Sequence, residues 1–189
     1  MFDQNTSVLI LVDYQVRLLP SIHEGEKVLA AGVFLAHIAQ ILNIPVLGTE
    51  QNPAGLGPND ERIKNVCHQT VEKHAFNGAT DGLGKAIKAI NPLINQVVLA
   101  GCESHVCLMQ TTLGLQALDF EVAVVPEACG SRTPQDKSMA LERLSRHQVE
   151  LLSPEMLAYE WLKSSDHPKF KDILQLIKRR DVQIGNHQS

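Results

Sequence analysis

The sequence has no CxxC pair, no internal repeat or low-complexity tract, no excess of positive charge and no long hydrophobic run. Each absence excludes something. Four cysteines (Cys67, Cys102, Cys107, Cys129) without CxxC spacing in a chain of 189 residues fit a reducing compartment better than a disulfide framework, so the expected location is cytoplasmic. A formal charge of −4 argues against nucleic-acid and membrane-surface partners, because both require a concentrated positive face. The basic cluster Lys178 to Arg180 ends a predicted helix, where cations complement the helix dipole. The N-terminal stretch MFDQNTSVLILVDYQ has no basic n-region, and its apolar run stops at Asp13, too short for a signal peptide or a membrane span. It reads as a strand instead.

What is present describes one globular domain over residues 1–189. The chain is 44% hydrophobic and 20% charged, and at this length folding should bury roughly 70% of the surface the unfolded chain exposes. Short apolar, β-branched runs alternate with longer stretches of helical period. Ser7 to Val12, Ile44 to Gly48, Gln96 to Ala100 and Glu121 to Val125 are nearly continuous in apolar residues, as strands buried on both faces should be. Weaker strands are expected near Val66 to Glu72 and Gln148 to Leu152. Glu26 to Leu42, Gly82 to Ile90, Ser104 to Leu118, Pro134 to Arg146, Pro154 to Leu162 and Pro168 to Arg179 carry helical spacing. The loop Asn52 to Asn59 is turn chemistry. The expected architecture is α/β in three layers, with about six strands in a mostly parallel sheet and helices on both faces; if the strand order is the common 3-2-1-4-5, the first and fourth strands are neighbours at the reversal.

In such sheets ligands bind beyond the carboxyl ends of the strands, near the point where strand order reverses. Asp13 directly follows the first strand, and GCESHVC (Gly101 to Cys107) follows the fourth. With Ser104 as N-cap, Cys107 falls in the first helical turn, where the dipole should lower its pKa and its own N–H could serve an oxyanion. Cys67, Cys102 and Cys129 read as small buried apolar fillers. A carboxylate across a crevice from a thiol could take its proton and return it to a leaving group. Lys73, after the weak third strand, would supply a cation that stabilises thiolate and carboxylate together.

These residues resemble a family. LVDYQ with Asp13, VEKHAFNG with Lys73 and VVLAGCESHVCLMQT with Cys107 are similar, in order and spacing, to the three signature segments of isochorismatase-like cysteine hydrolases. TEQNPAGLG, PEACGSR, LLSPEMLAYEWL and HPKFKDILQLIK extend the likeness over nearly the whole chain, to the isochorismatase domain-containing protein branch. The resemblance implies a three-layer Rossmann-like fold with a mostly parallel six-stranded sheet, order 3-2-1-4-5-6, and a triad in which Asp13 is the base, Lys73 the electrostatic partner and Cys107 the nucleophile. It also implies a non-proline cis peptide joining Cys102 to Glu103, which would aim the Glu103 N–H at the same oxyanion as the Cys107 N–H. The implied reaction is thiolate attack on an activated carbonyl, loss of ammonia or an amine, and hydrolysis of a thioester, with no cofactor. Because isochorismate hydrolysis in the family acts on a vinyl ether and does not depend on the cysteine, a small amide-type or related acyl substrate is favoured. The family also implies a homo-oligomer.

Nicotinamidases of the family hold a metal through an Asp and histidines after the second strand; GTEQNPAGLG has no histidine there, and no metal site is expected. Glu50, Gln51, Gln15, Phe76 and His105 are candidate substrate contacts, Phe76 reading more readily as core. A papain-like pair with His74 or His105 as base is a second enzyme reading, but a residue two positions from Cys107 does not face it on a helix. GATDGLGKA is not a P-loop, with Ala79 where a glycine and Ala86 where Ser or Thr is required. A thiol redox role lacks a CxxC resolving partner. A vinyl-ether hydrolase and a catalytically retired fold serving as an oligomerising or interaction module are the remaining alternatives; a retired site has no need of thiol, carboxylate and ammonium together.

Overall fold

The computed structural model describes residues 1–185, with side chains described through residue 180. Its strands are β1 (Ser7–Val12), β2 (Val46–Gln51), β3 (Gln69–Lys73), β4 (Gln96–Cys102), β5 (Glu121–Gly130) and β6 (Glu150–Leu151). Its α-helices are α1 (Gly25–Ile41), α2 (Pro53–Leu56), α3 (Glu61–Lys64), α4 (Leu83–Ile90), α5 (Met109–Gln116), α6 (Pro134–Arg146), α7 (Pro154–Leu162) and α8 (Phe170–Gly185). All pairings are parallel, in the order β3-β2-β1-β4-β5-β6.

The sheet's centre explains its composition. Every residue of β1 and β4 is buried, as helices on both faces require, so after their first residues, Ser7 and Gln96, these runs are apolar rather than alternating. The chain leaves β1 toward β2 and β3 and returns to β4 on the other side, and right-handed crossovers in opposite directions place helices on opposite faces. α1 packs across β1, β2, β4 and β5 and is covered by α8, while α5 packs on β5 beside α6.

Most expected elements recur with shifted ends. β2 begins at Val46, after Pro45, which has no N–H to give a ladder. The loop Asn52 to Asn59 contains the single turn α2, opened by Pro53. The helix expected from Ser104 begins as one π turn, Ser104–Leu108, and becomes α-helical only from Met109. The basic cluster does not end α8, which continues past Arg180; that side chain pairs with Glu127 and lies over the Phe34 ring at 4.3 Å.

β1 and β4 stay paired to their carboxyl ends, where Val12 lies opposite Gly101. Gly101 has φ of +140°, and a Cβ there would fall 2.1 Å from the Val12 carbonyl oxygen. Only glycine fits. Its neighbour bond, Cys102–Glu103, is a cis peptide. The two strand ends thus converge directly beneath Asp13 and the turn that carries Cys107.

Candidate active site

Asp13 leaves β1 in a left-handed conformation (φ 52°), which Asp tolerates better than most residues, and its side chain is fully buried. Lys73 ends β3 and is buried as well. Its Nζ donates to Asp13 Oδ2 at 2.7 Å and to Gln51 Oε1 at 2.7 Å. The other Asp13 oxygen, Oδ1, accepts from Thr49 Oγ1 at 2.6 Å. Cys107 is 6% exposed, and its thiol lies near enough to the Asp13 carboxyl and the Lys73 ammonium to feel the charge of both. The thiol also reaches Gln51 Oε1 at 3.9 Å. Three residues that lie far apart in the chain, Asp13, Lys73 and Cys107, therefore come together at the carboxyl ends of β1, β3 and β4, with β2 lying between the first two.

The electrostatics differ from the expected pattern. Burial, reinforced by the Asp13 charge, pushes the Cys107 thiol up to about 12, with Lys73 opposing. The helix-start field does not lower it. Ser104 does not cap the helix, since its hydroxyl donates to Gly130 O at 3.0 Å, and Glu103 holds the cap position without a side-chain bond. Dehydration acts on the whole thiolate, whereas the field of a first turn is a fractional charge. Burial likewise pushes Cys67 and Cys129 up to about 12 and raises Cys102.

The remaining candidates separate. Gln51 lies against the cluster, its amide fixed by a bond from Nε2 to His74 O at 2.6 Å. Gln15 is buried with its amide spent on backbone: Nε2 donates to Gln51 O at 3.0 Å and Gly57 O at 2.6 Å, and Oε1 accepts from Gln51 N at 2.9 Å. It braces Gln51 rather than offering a polar atom to a ligand. Glu50 turns to the loop, accepting from Asn59 N at 2.7 Å. Phe76 is not core; it is 53% exposed on the loop after Lys73. His105 faces Ser131, Nδ1 to Oγ at 3.0 Å, and His74 is exposed, so neither is placed as a papain-like partner. Glu103 pairs with Arg132 Nε at 2.9 Å. Among the described residues no group of three or more His, Cys, Asp or Glu side chains could hold a metal.

Sequence reasoning missed Thr49. It is a lone hydroxyl within VLGTEQ, opposite Val12 in the register, and only that pairing shows that it must lie beside Asp13.

The isochorismatase domain family matches residues 7–156. Isochorismatase domain-containing protein 1 of Danio rerio is 37% identical over 92% of this chain, which spans only 61% of that relative's length. Isochorismatase domain-containing protein 2A of Mus musculus is 32% identical, with 92% of this chain and 83% of the relative covered. Among solved structures, a MAR1 ribonuclease from Caenorhabditis elegans superposes with a TM-score of 0.86 at 29% identity, covering 93% of this chain and 91% of its own. An octameric hydrolase of unknown specificity from Escherichia coli has the same fold, with a TM-score of 0.78 at 23% identity over 96% and 97% of the two chains.

Proposed function

This chain belongs to the isochorismatase family and has its hydrolase fold, and from that premise we propose that it is a cysteine hydrolase of a small amide-type or related acyl substrate. The observation that carries the reading is a fully buried Asp13–Lys73 ion pair beside the Cys107 thiol, with Gln51 Oε1 reached by both Lys73 Nζ, at 2.7 Å, and the thiol, at 3.9 Å. Burying two full charges costs several kcal/mol per ion, and apolar packing of the same volume is often as stable or more so. Chemistry explains the expense better than stability does.

The placement of these groups supports a two-stage acyl transfer. As Cys107 Sγ attacks the substrate carbonyl carbon, its S–H bond breaks and the proton passes to Asp13. The carbonyl π pair moves onto oxygen, where the Glu103 and Cys107 N–H groups are the proposed donors. The C–N bond then breaks, Asp13 returns the proton to the departing nitrogen, and an acyl thioester remains on Cys107. Water gives a proton to Asp13, attacks the thioester and releases the acid, while the proton goes back to sulfur. Lys73 keeps its charge throughout and stabilises whichever of the two partners is anionic. No cofactor enters this cycle, and Gln51, Phe76 and His105 are the proposed surroundings of the substrate.

A small-molecule substrate suits a site whose cysteine is 6% exposed better than a polymer does. That bears on the ribonuclease name of a structural neighbour: a net charge of −4 offers a polyanion little attraction. The octameric neighbour supports a homo-oligomer, and the cysteine usage supports a cytoplasmic location. No helix among the described residues is long and apolar enough to cross a membrane.

The test is intact-mass trapping during incubation with a panel of amides, ureido compounds and esters. An acyl mass on the wild-type chain, mapped to Cys107 and absent from Cys107→Ala, is the expected result. Turnover retained by Cys107→Ala would remove the nucleophile assignment.

A further inference from the structure

On the hydrolase reading above, Asp13 must take a proton at a defined place and give it back, which a freely rotating carboxyl cannot do reproducibly. Beyond the ammonium on Oδ2, the structure ties Asp13 twice to one residue: Thr49 Oγ1 donates to Oδ1 at 2.6 Å, and the Asp13 N–H donates to Thr49 O at 3.2 Å. Thr49 is itself anchored, its carbonyl also accepting from Asn59 Nδ2 at 3.0 Å. The hydroxyl is fully buried in the interior of β2, where an isosteric valine would pack as well without a polar group to satisfy. Its partner is the one carboxylate in the site.

We propose that Thr49 is the positioning residue for the base: its hydroxyl locks the rotation of the Asp13 carboxyl, so that the Cys107 proton has a single acceptor in a single orientation. In that step the S–H bond breaks as an O–H bond forms on Asp13, the negative charge passes from carboxylate to sulfur, and the net charge of the cluster is unchanged. The titratable groups facing Asp13 are Lys73 from β3, the Cys107 thiol from the turn after β4 and the Cys102 thiol from β4 itself. Lys73 is held by Gln51 as well as by Asp13, so it does not depend on Thr49.

The experiment needs no substrate. Iodoacetamide alkylation of the full chain at neutral pH is followed by intact mass and mapped to Cys107. With the resting thiol held protonated, reaction relies on Asp13 taking the proton. Thr49→Val removes the donor at nearly constant volume and leaves the carboxyl free to turn, so the Cys107 alkylation rate falls by about tenfold, the order expected for one lost hydrogen bond to a charged group. Thr49→Ser restores the donor and returns the rate to that of the wild type. A rate unchanged in Thr49→Val, or lowered equally in Thr49→Ser, overturns the proposal. If Thr49→Val does not fold by circular dichroism, Thr49→Ala is read against Thr49→Ser with the same expectations. A wild-type Cys107 that alkylates no faster than Cys67 defeats the hydrolase reading and this role together, whereas a reactive Cys107 indifferent to Thr49 defeats only the role.

Discussion

Asp13 acts on Cys107 in two opposite ways, and one substitution separates them. Its charge raises the thiol pKa, yet its basicity provides the route by which the thiol proton leaves. Asp13→Asn keeps the shape and a hydrogen-bonding oxygen but removes the charge. The Cys107 thiol should then ionise below about 12, because Lys73 is left unopposed. Ultraviolet absorbance of the thiolate, taken as a pH titration against Cys107→Ala, reads this directly. Turnover of any substrate found by mass trapping should fall by ~10²- to 10⁴-fold, the usual contribution of a general acid–base group. A more acidic thiol with undiminished turnover would show that Asp13 is not the base. This pair of effects could not be read from the sequence. The position of Cys107 after a strand was legible, as were Asp13 and Lys73, because all sit at strand ends. Its environment was not: burial, the absence of a Ser104 cap and the Thr49 contact depend on which strands lie side by side.

At the level of strands and helices, the site rests on the close approach of β1 and β4. Gly101→Ala would put a methyl carbon 2.1 Å from the Val12 carbonyl oxygen at a φ of +140°, so either the strands part or the backbone turns. Stability should drop by about 3 kcal/mol or more, seen as a lower urea midpoint, the range of severe single substitutions at strained positions. Cys107 alkylation should also lose its selectivity, since Asp13 and the turn after β4 hang from these strand ends. Equal stability with selective labelling would mean that the approach is slack. The strands of this centre were the most legible part of the chain: SVLILV was placed to the residue because an apolar run without alternation has few other homes. Edges were less so. β3 has only partly buried or exposed residues before Lys73, and β6 has two residues, so neither carries a strong apolar pattern. The turns α2 and α3 are shorter than any periodicity can reveal.

Over the whole molecule, charge decides what kind of substrate can gather at the site. Seventeen Lys and Arg stand against 21 Asp and Glu, and many of the cations are already answered by nearby carboxylates: Arg62 by Asp60 and Glu26, Lys64 by Glu61, Arg132 by Glu103, Arg146 by Glu142, Lys163 by Asp3. Even the basic cluster on α8 gives Arg180 to Glu127. A polyanion binds largely by releasing counterions to unpaired cations, with affinity falling steeply as salt rises. A surface of this kind releases few. Fluorescence anisotropy with a labelled single-stranded RNA should therefore show no binding at micromolar protein even at low salt, where attraction would be greatest, and the RNA should remain intact on gels. Binding with a steep salt slope, or cleavage by the wild-type chain that Cys107→Ala or Asp13→Asn abolishes, would move the substrate class from small acyl compounds to nucleic acid. Cleavage that survives both substitutions would instead point to a contaminant, because the buried cluster of sulfur, carboxylate and ammonium would have no part in it.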